Sequence, residues 1–201
     1  MPFCVGLTGG IGSGKTAASE IFRELGALVV DTDEISRSLT AVRGAAMPAI
    51  RERFGPTYVT ADGSLDRKRM RELVFRDPAA KARLEAVLHP LIREHSRKRV
   101  SDAKQPYVVL VVPLLLETGA YRDLVQRVLV ADCSEERQVE RATRRSGISA
   151  AEVRAIMASQ LSRAARLERA DDVIDNDGDL SSLRSQVEKL HVGYLAQART
   201  A

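Results

Sequence analysis

A short apolar run, Phe3–Thr8, leads directly into GGIGSGKT at Gly9–Thr16, and this junction narrows the possible folds more than any other part of the chain. The eight residues satisfy G-x-x-x-x-G-K-[ST] in full, with a strand-like stretch before them and a helix-like stretch after, the setting a phosphate-binding loop requires. Gly9, Gly10, Gly12 and Gly14 let the backbone curl so that successive N–H groups face one anion. Ile11 and Ser13 occupy the intervening loop positions. A helix opening near Lys15 adds its positive end. The Lys15 ammonium can reach β- and γ-phosphates, and the Thr16 hydroxyl can ligate Mg²⁺. The alternative, a Gly-rich turn with an exposed lysine, explains the glycines but not the complete pattern.

Beyond the loop, strand and helix patterns alternate. KTAASEIFRELG reads as a helix closed by Gly26, and Ala27–Asp31 as a second strand. A helix then opens near Asp33, a good N-cap. Further strands are expected at Tyr107–Val112, Arg127–Ala131 and Asp172–Asp175. Helix follows the fourth strand to about Arg145, Gly147 breaks it, and Ser149–Glu152 is a capping-box pattern. A last amphipathic helix is expected from about Leu180 to Ala196. The stretch 44–103 has helical periodicity throughout, with Pro90 expected to open or kink a helix. Together these patterns predict an α/β, P-loop NTPase-type three-layer fold: a five-stranded parallel sheet with an inserted helical substrate domain and a helical lid. The expected core is 1–43 with 104–201, including the lid at about 137–169, and the insertion is 44–103.

Composition excludes other classes. No apolar run approaches the ~20 residues needed to cross a bilayer, and the start MPFCVGLTGG lacks the features of a secretory signal. A cytoplasmic protein without a membrane partner is expected. Cys4 and Cys133 each lie in or beside an apolar run and read as buried free thiols. Of 31 basic residues, 25 are arginine, the side chain best suited to gripping phosphate. Aromatic content is 4% with no Trp, and no stacking or zinc pattern occurs, so no nucleic-acid partner is expected.

A nucleotide loop does not say where the phosphate goes. Asp31 and Asp33 lie at the end of the second strand, where α/β sheets place their ligands. Asp33 can take a proton from an acceptor hydroxyl or hold Mg²⁺ through water. It can equally be only a helix cap. The third strand ends without an Asp, so the usual Walker B carboxylate is missing and Asp33 is its best substitute.

At this point a resemblance becomes specific. GLTGGIGSGKT at Gly6–Thr16, DTDEISR at Asp31–Arg37, LHPLI at Leu88–Ile92 and PLLLE at Pro113–Glu117 resemble the dephospho-CoA kinase family. Arg141–Arg145, SQLSR at Ser159–Arg163 and ADDVIDNDG at Ala170–Gly178 continue it, in order, over nearly the whole chain. Thr32 stands where the family commonly has Ala, and Leu116 where an aromatic is common.

The resemblance implies transfer of the ATP γ-phosphate, with Mg²⁺, to the ribose 3′-hydroxyl of dephospho-CoA, with Asp33 as general base. The insertion would then be the CoA-binding part. From Arg67 to Arg99 it holds eleven basic residues, well in excess of its acidic ones, which suits a diphosphate-bearing acceptor or simply a solvated helix face. His89 can be an acid–base group or a packed, hydrogen-bonded one. Leu114 and Leu115 would form an apolar wall of the acceptor site, with Glu117 as polar wall or helix cap. Arg141 and Arg144 share a helix face at i,i+3. Arg141 is the first candidate for stabilising the charge of the transferring group on lid closure and Arg144 the second. An exposed basic face is the competing reading. Asn176 matches the family stretch beside the adenine, although a plain turn asparagine looks the same. Another small P-loop kinase is the alternative enzyme. A nucleotide switch is the alternative class, but an N-K-x-D guanine-reading motif is absent.

Overall fold

The computed structural model describes residues 2–200. In chain order the elements are β1 (Phe3–Thr8), α1 (Lys15–Glu24), β2 (Leu28–Asp31), α2 (Thr32–Leu39), α3 (Met47–Phe54), α4 (Arg67–Arg76) and α5 (Pro78–Ser101). They continue with β3 (Tyr107–Val111), α6 (Leu115–Thr118), β4 (Arg127–Asp132), α7 (Glu135–Ser146), α8 (Ala150–Ala158), α9 (Arg163–Glu168), β5 (Asp172–Asp175) and α10 (Leu180–Ala198). The chain divides into two units: Met1–Val30 with Arg99–Ala201, and Asp31–Lys98. The second unit thus starts at the last residue of β2, earlier than the helical periodicity from residue 44 suggests.

In the first unit the five strands form one parallel sheet in the order β2-β3-β1-β4-β5. Phe3 to Leu7 of β1 face Tyr107 to Val111 of β3, and Val5 to Thr8 face Arg127 to Val130 of β4. Every residue of β1 and β3 is buried. A sheet covered on both faces has no wet side, so its central strands read as continuous apolar runs rather than alternating ones. Ile21 and Phe22 of α1 and Leu183, Val187 and Tyr194 of α10 pack on this sheet. Phe22 stacks on Tyr194 with centroids 6.1 Å apart, and Tyr107 meets Tyr194 edge-on at 5.7 Å. Each such aromatic contributes about 1.5–3 kcal/mol by burial. Leu115 Cδ2 lies only 2.6 Å from where a Cβ on Gly6 would stand, so α6 packs against β1 through a position that has no room for a side chain.

A polar seam runs beside the aromatic cluster. Arg127 grips Asp172 with Nε–Oδ2 2.8 Å and Nη2–Oδ1 2.9 Å, and the Tyr194 hydroxyl donates to the same carboxylate at 2.9 Å. Burial pushes the Asp172 carboxyl up, but the hydrogen bonds from Arg127 and Tyr194 outweigh it and hold the group below its ordinary range. Cys4 and Cys133 are free and buried, as expected, and burial raises the Cys4 thiol to about 12.

The second unit is a set of short helices. Ile35, Leu39, Met47, Ile50, Leu65, Met70 and Val87, with Ala46 and Ala80, are its buried apolar residues, a thinner core than that of the sheet. Arg67 ties two segments together, donating to Thr40 Oγ1 at 2.7 Å and to the Arg37 carbonyl at 3.2 Å. Phe75 on α4 is 83% exposed. Two expectations are corrected here. The cap of α2 is Asp31, which accepts from the N–H groups of Asp33 (2.7 Å) and Glu34 (3.3 Å), so Asp33 is inside the first turn. Pro90 does not open a helix but lies inside the 24-residue α5, where only the kink reading of it remains. Pro78, at the first helical position where a missing N–H costs nothing, is the residue that opens it.

Candidate nucleotide site

The loop after β1 is built as a cradle whose floor is other side chains. Gly14 has φ 97° and Gly12 φ 72°, in the left-handed region that favours glycine. Space adds a second requirement. A Cβ on Gly12 would stand 2.5 Å from the Gln138 carbonyl oxygen, and one on Gly14 would overlap the Asn176 amide. Gly10 is likewise pressed by the Gln138 side chain. The glycines therefore serve both the curl of the backbone and the close approach of α7 and the turn after β5. α1 starts at Lys15 with Gly14 as its cap and no side-chain capping bond, which leaves the positive end of the helix facing the loop.

Lys15 Nζ donates to the carbonyls of Gly9 and Gly10, both at 2.8 Å. The ammonium thus lies over the crest of the loop. The Thr16 side chain is exposed at the first turn of α1. Asn176 is buried and donates from Nδ2 to the Ser13 carbonyl at 2.8 Å. Its own N–H donates to the Asp132 carbonyl at 2.8 Å, so it is a strut beneath the loop and not a plain turn residue.

Around this floor stands a ring of arginines. Arg141, on α7, is half-buried, and its Nη1 is buried with no hydrogen-bond partner among the described residues. Its charge acts on the Cys133 thiol, which touches the Gly12 carbonyl at 4.0 Å. Burial pushes that thiol up, and Arg141 offsets part of the rise. Arg144, one turn further on, is exposed. Arg163 grips Asp132 at the end of β4 with Nη2–Oδ2 2.7 Å and Nε 3.0 Å from each oxygen. Arg166 is 4% exposed, donates from Nη2 to the Leu161 carbonyl at 2.7 Å and lies 3.9 Å from Glu117. Asp177 accepts from the Ser134 N–H and hydroxyl, and these bonds hold its carboxyl below the ordinary range.

Several of the residues read from the sequence stand elsewhere than their types suggested. Glu117 caps no helix: its Oε1 accepts from the Leu161 N–H at 3.0 Å. Leu115 is buried against β1, while Leu114 is 40% exposed. His89 is exposed on α5, against the expectation of a packed imidazole, because the apolar residues near it in sequence turn to other faces of the helix. Asp33 is also exposed. Gln138, Gln160 and Arg166 were not legible as site residues. Gln and Arg on helix-like stretches carry no signal until the fold brings them beneath a loop more than a hundred residues away.

The sheet and loop together define a P-loop nucleotide-binding protein. A family profile described as dephospho-CoA kinase matches residues 3–182. Dephospho-CoA kinase of Nitrosospira multiformis is 58% identical over 195 residues, covering 97% of this chain and 98% of that one. The enzyme of the same name from Aromatoleum aromaticum is 55% identical over 197 residues, covering 98% and 96%. A solved structure from Thermus thermophilus superposes with TM-score 0.81 at 33% identity, covering 96% of this chain and 97% of that one. Shikimate kinase of Acinetobacter baumannii, at 19% identity and TM-score 0.54, covers 98% and 95% and shares the fold. The chain belongs to the dephospho-CoA kinase family.

Proposed function

We propose that the protein transfers the γ-phosphate of ATP to the ribose 3′-hydroxyl of dephospho-CoA, giving coenzyme A. The observation that carries this beyond family membership is the buried, unpartnered Arg141 Nη1 beside a complete phosphate loop. A buried donor without an acceptor costs about 1–3 kcal/mol, and a phosphate oxygen is the partner this position lacks. The backbone N–H groups at the start of α1 and the Lys15 ammonium bind the nucleotide phosphates. To do so Lys15 exchanges the Gly9 and Gly10 carbonyls for anionic oxygens, a stronger pairing. Arg141, with Arg144 as a second, stabilises charge on the equatorial oxygens as transfer proceeds. Asp33 accepts the proton of the acceptor hydroxyl.

Mg²⁺ fits the residues present. Among the described residues no cluster of three or more His, Cys, Asp or Glu could cage a metal, but the exposed Thr16 hydroxyl suits an ion completed by water and phosphate oxygens. Thr16 would hold it, with Asp33 through water, and the ion would neutralise phosphate charge. The unit Asp31–Lys98 is read as the acceptor-binding part, with His89 among its acceptor contacts, and Leu114 and Glu117 as the acceptor side of the core, with Leu115 packed behind them on β1. Two free buried thiols suit a cytoplasmic setting. The test is incubation with γ-labelled ATP and a panel of acceptors. Label at the 3′ position of dephospho-CoA is expected. Label on a nucleoside monophosphate or another alcohol, with none on dephospho-CoA, overturns the reading.

A further inference from the structure

The crest of the phosphate loop is held from outside the loop. Its one internal backbone bond runs from the Ser13 N–H to the Gly10 carbonyl at 3.2 Å. The Ile11 N–H donates instead to Gln160 Oε1 at 3.2 Å, across 149 residues of chain. Gln160 belongs to the turn between α8 and α9, and a glutamine in a turn has too much rotamer freedom to hold a partner unless the turn itself is fixed. Here it is fixed at the next residue. The Leu161 N–H donates to Glu117 Oε1 at 3.0 Å, and the Leu161 carbonyl accepts from Arg166 Nη2 at 2.7 Å. Arg166 Nη1 also lies 3.3 Å from where a Cβ on Gly10 would stand, so the guanidinium spans the turn and the loop.

The cost of this arrangement suggests its purpose. Arg166 is 4% exposed, its distance to Glu117 is a loose 3.9 Å, and Glu117 Oε2 is buried with no hydrogen-bond partner among the described residues. A buried ion pair with an orphaned oxygen adds little stability, and apolar residues of similar volume would serve packing as well. What charged groups do here, and apolar ones cannot, is fix both polar atoms of the Leu161 backbone.

The geometry points to Gln160 as a positioning residue for phosphoryl transfer: it holds the loop crest through the Ile11 N–H, and the buried pair Glu117–Arg166 holds Gln160 in place through Leu161. The inference rests on the reading that this loop takes the nucleotide. It makes Glu117 a support of the nucleotide loop as well as a member of the acceptor side. A displacement of the loop by a fraction of an ångström matters for transfer, because in-line geometry is lost before affinity is.

Three variants test it: Gln160→Ala, Gln160→Glu and Glu117→Ala. Each is read by amide hydrogen exchange at Ile11, by melting temperature, and by kcat and KM for both substrates. Gln160→Ala is expected to speed exchange at Ile11 about tenfold or more and to lower kcat about tenfold, with KM for dephospho-CoA within about threefold and melting almost unmoved. Gln160→Glu keeps an acceptor for the Ile11 N–H and should restore slow exchange there. Glu117→Ala should speed exchange at Ile11 as well, an effect that a side chain merely lining an acceptor pocket would not have. Wild-type exchange at Ile11 in Gln160→Ala, or a change in KM for dephospho-CoA alone in Glu117→Ala, overturns the proposal. Should the unaltered protein fail to phosphorylate dephospho-CoA, the functional reading falls, while Ile11 exchange still decides the Gln160 contact.

Discussion

The two units use arginine in opposite ways. In the sheet-bearing unit, three arginines share one place: Arg141, Arg163 and Arg166 gather around the loop, two of them pinned by carboxylates or carbonyls and one left with a buried free donor. In Asp31–Lys98 they are spread over helix surfaces and several are used up locally. Arg67 joins Thr40 to α4, Arg69 donates to the Thr57 carbonyl at 3.0 Å, and Arg83 lies 5.6 Å above the Phe54 ring. A basic composition therefore means two different things within one chain. Where a rigid sheet over-determines the positions, positive charge makes a site. Where short helices share a thin core, part of it is internal bracing, and a count of basic residues overstates what remains for a ligand.

If that contrast is right, single changes in the sheet-bearing unit should affect chemistry without affecting the fold. Lys15→Ala is expected to have the largest effect. The ammonium lies over the loop crest on two carbonyls, so its loss should cost about 3–4 kcal/mol of transition-state stabilisation, about 10²–10³ in rate. Its melting temperature should stay within about 2 °C of the unaltered protein. Near-normal turnover with normal melting would remove the phosphate-loop reading. Arg141→Ala comes next. An arginine acting on charge that develops during transfer should lower kcat by about a hundredfold and nucleotide affinity far less. A loss confined to the KM for ATP would make Arg141 a ground-state binder and pass its role to Arg144.

The second unit is probed at Asp33. Because Asp31 makes the capping bonds, Asp33→Asn leaves the helix start intact. Asp31→Ala should instead cost about 1 kcal/mol of stability. Asp33→Asn is therefore expected to melt normally, bind ATP normally and transfer about a hundredfold more slowly. The limit follows from a loose transition state, which asks little of a base. Full single-turnover activity in this variant would sink Asp33 as the base and shift attention to Asp31.

How much of this could be read in advance depended on the range of the interaction. The loop, its flanking strand and helix, the Gly147 break and the Ser149–Glu152 capping box are local patterns, and all are present. All five strands appear within one residue of their expected limits, and the buried parallel strands β1 and β3 do so because they leave unbroken apolar runs. Local reasoning failed where two residues compete for one role. Asp31 and Asp33 are both good caps by type, and only the end of β2 decides between them. It failed again where the partner is distant in sequence. Nothing about Asn176, Gln138 or Gln160 as residue types says that they brace Ser13, Gly12 and Ile11.

The smallest effect is expected furthest from the loop, at Asp172, and it tests whether the sheet-bearing unit is rigid for reasons separate from its chemistry. Asp172 faces Leu129 in the pairing of β4 with β5, three residues back from Asp175, and it ties Arg127 to Tyr194. Its carboxyl is held below the ordinary value because the charged form is the one Arg127 and Tyr194 bond. A depressed folded value means that the contribution is fully present above the unfolded value, about 3.9, and is lost as pH falls through the folded one. Asp172→Asn keeps the shape and an acceptor for Tyr194 but loses the charge. It should therefore lower the melting temperature at pH 7 by a few degrees, about 2–4 °C for each kcal/mol lost in a chain of this length. The gap between variant and unaltered protein should close as the pH is taken below the unfolded value of about 3.9 and on through the lower folded one, and kcat at pH 7 should not change. The measurement is a pair of melting curves against pH. A gap that persists undiminished into acid would mean that Asp172 acts through packing alone, and a fall in kcat with unchanged melting would mean that the polar seam reaches the nucleotide loop after all.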